Sequence, residues 1–81
     1  MEIRLLKQPR KYLESVDKPT RKKLEKALDK LSRFEGDIVP LRGQDDIYRC
    51  KIEHYRILFR WHKGEIIIIV FQISTRGDTK Y

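Results

Sequence analysis

The sequence holds a single cysteine, Cys50, so no internal disulfide can staple the chain, and no group of Cys, His and carboxylate residues has the spacing of a zinc site. That usage fits an intracellular protein, and the expectation is a cytoplasmic chain needing no metal or other cofactor. Long apolar runs are also missing. The longest, residues 66–71, is far too short to span a bilayer, and the opening MEIRLLKQPRKYLE has no continuous apolar stretch of the signal-peptide kind. No membrane partner is therefore expected. Repeats, low-complexity tracts and linker-like segments are absent, and 81 residues leave room for one core, hence a single domain over residues 1–81. Acidic residues are in the minority. Twelve Asp and Glu stand against nineteen Lys and Arg, for a formal charge of +7 and a pI near 9.8. Such a balance attracts polyanions over long range and points to nucleic acid or an acidic protein.

What is present reads as a short mixed domain. Residues 2–6, EIRLL, suit a strand. Pro9 then opens a brief helical stretch with Tyr12, Leu13 and Val16 on one side. From residue 19 to 35 the apolar positions Leu24, Ala27, Leu28, Leu31 and Phe34 recur at helical spacing, with Pro19 in the first turn and Gly36 just past the end. Residues 37–46, DIVPLRGQDD, show no period and read as an irregular connection. Three strands follow: residues 47–53 alternate, residues 55–61 alternate with aromatics, and residues 66–74 are apolar on both faces. The predicted fold is α+β, in the order β-α-α-β-β-β, with two N-terminal helices packed on one face of a small, mainly antiparallel sheet.

Turn lengths fix which side chains share a face. A two-residue loop at Glu53 and His54 pairs Ile52 with Tyr55 and Lys51 with Arg56, so two cations sit opposite each other. Such a pair is unfavourable by roughly 0.2–1 kcal/mol, which suggests that an anion belongs between them. Arg49, two residues from Lys51, joins the same face. A three-residue loop at His62, Lys63 and Gly64 would pair Trp61 with Glu65 and Arg56 with Val70. Arg56, Leu58 and Arg60 then share a face with Gln72, Ser74 and, beyond the strand, Arg76. The other face collects Tyr55, Ile57, Phe59, Trp61, Ile67, Ile69, Phe71 and Ile73 as the core. Cations converging on one face with few carboxylates make a candidate phosphate-binding site. The helix cations Arg21, Lys22, Lys23, Lys26, Lys30 and Arg33 alternate with acids and read as a solvated face. His54 and His62 read as exposed turn residues, and Cys50 as a buried structural thiol.

These residues together resemble the RelE branch of the RelE/ParE toxin superfamily. LRG at 41–43, YRCK at 48–51, YRILF at 55–59, an apolar strand and RGDTKY at 76–81 match it in order and spacing. The resemblance covers essentially the whole chain and implies the RelE-like fold just described. It further implies a toxin of a type II toxin–antitoxin system that cuts messenger RNA on the ribosome. Carried over position by position, it makes Lys51, Arg56, Arg76 and Tyr81 catalytic residues and Arg49 an RNA-binding one; Arg42, of the LRG motif, and the face residues Arg60, Gln72 and Ser74 are further candidates for binding RNA. The reaction is attack of a ribose 2′-OH on the adjacent phosphorus. Lys51 would take the proton, Arg56 neutralise the phosphate and Arg76 protonate the leaving oxygen, while Arg49 and Tyr81 position the RNA. Expected partners are mRNA, the ribosome with its RNA, and a cognate acidic antitoxin. Arg49 departs from a lysine common in that branch, and arginine cannot act as a base. The chain also stops at Tyr81, without the final helix of many relatives. Two other functions fit the same fold: a ParE-like gyrase inhibitor, and a catalytically inactive RNA-binding protein.

Overall fold

The computed structural model describes residues 1–75. In chain order the elements are β1 (Glu2–Leu5), α1 (Lys7–Ser15), α2 (Lys18–Leu31), β2 (Asp37–Pro40), β3 (Ile47–Ile52), β4 (Tyr55–Arg60) and β5 (Ile67–Thr75). The strands form one sheet ordered β1-β5-β4-β3-β2, in which β1 pairs β5 in parallel and the remaining pairs are antiparallel. Two helices on one face of a mainly antiparallel sheet give the α+β architecture expected from the sequence.

Helix α2 starts with Pro19 in its first turn, where a missing N–H costs nothing, and buries Leu24, Ala27, Leu28 and Leu31 along one stripe. That stripe meets Ile57, Phe59, Ile68, Val70 and Ile73 of the sheet, with Leu13 of α1 and Cys50 of β3. Each fully buried side chain of this kind stabilises the fold by about 1.5–3 kcal/mol relative to exposure. The chain leaves α2 through Phe34, whose φ of 54° is left-handed and unusual for an aromatic. Its ring is held edge-on to Tyr48 and Phe59 and lies 4.8 Å from Trp61 between centroids, so packing keeps the backbone in that region.

Three sequence expectations need correction. Residues 37–40 are not irregular: β2 is a strand on the outer edge, pairing Ile38 with Cys50 and Pro40 with Tyr48. Four residues are too few to display a period, and Pro40 is tolerated because an edge strand need not donate on its outer side. The connection between β4 and β5 occupies residues 61–66 rather than three residues. It is closed by Trp61 Nε1 donating to the Glu65 carbonyl at 2.9 Å and by the Glu65 N–H donating to the His62 carbonyl. Arg56 therefore faces Ser74, not Val70. Finally, a bulge at Phe71 lets Leu58 face Gln72 while Phe59 faces Val70. An extra residue reverses the alternation beyond it, so Ile68 and Val70 enter the core and Ile67, Ile69 and Phe71 leave it.

Candidate nucleic-acid interface

Tyr48, Cys50 and Ile52 of β3 and Tyr55, Ile57 and Phe59 of β4 pack toward the helices. Strand alternation then turns Arg49, Lys51, Arg56, Leu58 and Arg60 to the face that carries no helix among the described residues. The two-residue hairpin at Glu53 and His54 sets the register: Lys51 faces Arg56, and Arg56 in turn faces Ser74. Glu53 adopts a left-handed φ of 53° to make that turn. In the next row Arg49 faces Leu58, which faces Gln72, and at the far end Ile47 faces Arg60, which faces Ile69. Directly opposed side chains have Cβ atoms about 4.5–5.5 Å apart, so the Lys51 and Arg56 stems run side by side.

Leu58 sits at the centre of this face and is only 1% exposed, although it lies outside the helix-side core. Arg49 and Arg56 flank it and are half-buried, their long aliphatic stems covering apolar surface. None of Arg49, Lys51, Arg56 and Arg60 forms an ion pair among the described residues. Arg49 Nε is buried with no hydrogen-bond partner among the described residues. An orphaned donor of this type costs roughly 1–3 kcal/mol, and a phosphate oxygen is the kind of acceptor that satisfies it. Chemically, the face offers charge neutralisation to a phosphodiester and, in Lys51, one side chain able to exchange a proton.

The remaining expected residues are more dispersed. Ser74 is buried next to Arg56, and Gln72 is half-buried. Arg60 lies four residues along β4 from Arg56, about 13 Å at the strand rise. Arg42 is exposed in the turn between β2 and β3, apart from the strand lattice. Arg76 and Tyr81 lie outside the described residues. His54 is exposed and lies 4.2 Å from the Tyr55 ring. His62 is exposed, and its Nδ1 lies 3.0 Å from Asp46 Oδ2; that hydrogen bond and the charge of Asp46 raise its pKa above the usual histidine value. Cys50 is buried, and burial, then the charge of Asp37, pushes its thiol pKa up, which suits a packing role rather than a nucleophile. No group of His, Cys and carboxylates among the described residues is placed to hold a metal ion, and no helix there is long and apolar enough to cross a membrane.

Two surfaces escaped the sequence reading. Lys23, Lys26 and Lys30 of α2 rim a cleft of about 290 Å³ against β3, floored by Cys50 and Ile52. Their recurrence at helical spacing was the signal, obscured by acids in the same helix, and Lys23 does pair with Glu53 at 3.2 Å. The second surface, at the far end of the helix-free face, is lined by Leu6, Gln44, Ile47, Arg60, Ile69 and Phe71. It exists because of the bulge, which no local sequence signal marks.

The model of the family described as the ParE toxin of type II toxin–antitoxin system, parDE, matches residues 3–79. A chain of the archaeal RelE–RelB complex from Pyrococcus horikoshii is similar in structure, with a TM-score of 0.75 and 24% identity, covering 96% of this chain and 97% of that one. The E. coli RelBE complex gives a TM-score of 0.73 at 19% identity, with 91% and 94% covered. The isolated E. coli RelE toxin gives 0.72 at 17% identity, with 98% and 87% covered. No curated protein sequence matches at a significant level. The fold is thus that of RelE toxins, and the family match extends over both helices and the whole sheet: the chain belongs to the ParE toxin family of type II toxin–antitoxin systems, within the RelE/ParE superfamily.

Proposed function

We propose that this toxin is a ribosome-dependent endoribonuclease that cuts messenger RNA, held in check by a cognate acidic antitoxin. The observation that carries this reading is the facing pair Lys51 and Arg56, joined by Arg49, on a sheet face with no helix and no carboxylate partner for these cations among the described residues. Cleavage proceeds by attack of a ribose 2′-OH on the neighbouring phosphorus, leaving a 2′,3′-cyclic phosphate and a 5′-OH. Three tasks must be met: removal of the 2′-OH proton, stabilisation of charge on the phosphate oxygens, and proton delivery to the departing 5′ oxygen. Lys51 takes the first role, since arginine holds its proton too firmly. Arg56 takes the second from directly across the ladder. Arg76 takes the third, and Arg49 orients the RNA together with Tyr81. Arg42, Arg60, Gln72 and Ser74 extend the RNA contacts.

An antitoxin partner is supported by the similar solved structures, which include RelE–RelB complexes from P. horikoshii, E. coli and Methanococcus jannaschii. The net charge of +7 attracts an acidic segment by long-range steering. A ribosomal target places the protein in the cytoplasm. One observation favours a second reading, gyrase inhibition: the matching family model is that of ParE. Incubating the purified protein with mRNA, with and without ribosomes, beside a gyrase supercoiling assay separates the two. Ribosome-dependent scission with unaffected supercoiling is expected. Blocked supercoiling with intact message would establish the second reading, and RNA binding without scission would identify an inactive member.

A further inference from the structure

Beyond the phosphate-binding cations, the helix-free face continues into an apolar hollow of about 420 Å³ lined by Leu6, Gln44, Ile47, Arg60, Ile69 and Phe71. We propose that this hollow is a nucleobase pocket, in which a base of the bound RNA stacks on Phe71 and presents its polar edge to Gln44. The inference rests on the reading of this face as an RNA-binding surface.

Its construction follows from the bulge. Beyond it, Ile67, Ile69 and Phe71 are placed opposite the helix-side core, leaving a patch of half-buried apolar groups that no described helix covers, on a face otherwise dominated by arginine and lysine. Leu6, at the start of α1, is 48% exposed beside it. An apolar floor with an aromatic ring is what an unstacked base seeks, because every base has a π face. A phosphate would gain nothing from such a floor. Charge complementarity selects the same occupant. Arg60 borders the hollow and makes no ion pair among the described residues, so a base seated there has its own phosphate within reach of a free cation. Arg60 and Arg56 share the face of β4, which aligns a strand of RNA along the β-strand from the cleavage cations to the pocket.

Gln44 supplies selectivity. It lies in the turn between β2 and β3, its backbone N–H donating to the Leu41 carbonyl at 3.3 Å, and its side-chain amide makes no hydrogen bond among the described residues. A primary amide can donate and accept at once, which suits the edge of a base. The pocket is therefore expected to favour some bases over others at one position of the message.

The test is equilibrium binding of the full chain to short single-stranded RNAs of one length, each built from a single kind of base, beside a fully abasic ribose-phosphate chain of the same charge. Wild type should bind the best base-containing RNA at least about five-fold more tightly than the abasic chain, in line with stacking on one ring. Phe71→Leu keeps an apolar floor but removes the ring, so it should erase that difference while leaving affinity for the abasic chain unchanged. Gln44→Ala should reduce discrimination among bases and preserve the preference for base over no base. Arg56→Ala should weaken all RNAs alike, and equal unfolding midpoints show which variants are folded. If wild type binds the abasic chain as well as the others while Arg56→Ala still weakens binding, the pocket is wrong and the phosphate face stands. If Phe71→Leu retains the full base preference, the pocket is likewise overturned. If wild type binds no RNA at all, both the pocket and the RNA-binding face fall.

Discussion

At the scale of single residues, the site depends on side chains whose neighbours leave them unsatisfied. Arg49, Lys51 and Arg56 share a face without ion-pair partners among the described residues, an arrangement that costs stability and that the proposed RNA would relieve. The hairpin that aligns them carries its own cost, since Glu53 turns with a φ of 53°. Glu53→Gly should relieve roughly 1 kcal/mol of that backbone cost, partly offset by loss of the exposed pair with Lys23, so the variant should unfold at the same or slightly higher denaturant. A clear drop in the midpoint would mean that the turn needs the Glu53 side chain. His62 makes a pH-dependent contribution. Its pKa is raised in the folded chain by the hydrogen bond to Asp46, so the stabilisation is fully present below the unfolded value and disappears as pH rises through the folded one. Asp46 has a φ of 63°, a region asparagine tolerates, so Asp46→Asn removes the charge without new strain. The stability gap between wild type and this variant should be wider near about pH 5.5 than near about pH 8.5. An identical gap at both would show that the contact does not respond to protonation.

At the scale of elements, what could be read in advance was set by how local the determinants are. The first hairpin of the meander is legible because a two-residue turn fixes its register without reference to the rest of the molecule, and it places Lys51 across from Arg56. Helix α2 is legible from its apolar stripe and Pro19. Strand β2 is not, because four residues show no period and gain their structure only by pairing with β3. The bulge at Phe71 is not legible either: in a strand that is apolar at nearly every position, alternation gives no warning that it reverses. Helix α1 contributes a contact invisible to periodicity. Strand β1 covers β5 only as far as Val70, and beyond it the Gln8 side chain accepts the Ile73 N–H at 2.8 Å and donates to the Ile73 carbonyl at 2.9 Å. Gln8 thus completes the sheet edge as a strand would. Gln8→Ala should leave both groups of Ile73 unpaired and cost about 2 kcal/mol, read from equilibrium unfolding. A loss no greater than that of an ordinary surface substitution would mean that water replaces the amide freely.

At the scale of the molecule, the division of labour is between two faces of one sheet. One face is closed by the helices over a core of aliphatic residues and Phe59. The other carries no helix among the described residues and is basic around Arg49, Lys51 and Arg56, and apolar around Ile69 and Phe71. The excess of positive charge is compatible with a polyanionic partner, but only the register shows where the charge converges, and only the family match shows that the chain is a toxin. The central claim is that this basic face performs RNA cleavage. Its most direct test is single-turnover scission of ribosome-bound mRNA by wild type and by Arg56→Ala, with unfolding measured on the same preparations. Removing a cation that neutralises charge in the transition state should lower the rate by about two orders of magnitude or more while the unfolding midpoint barely moves. Scission by the folded Arg56→Ala variant at the wild-type rate would contradict the account.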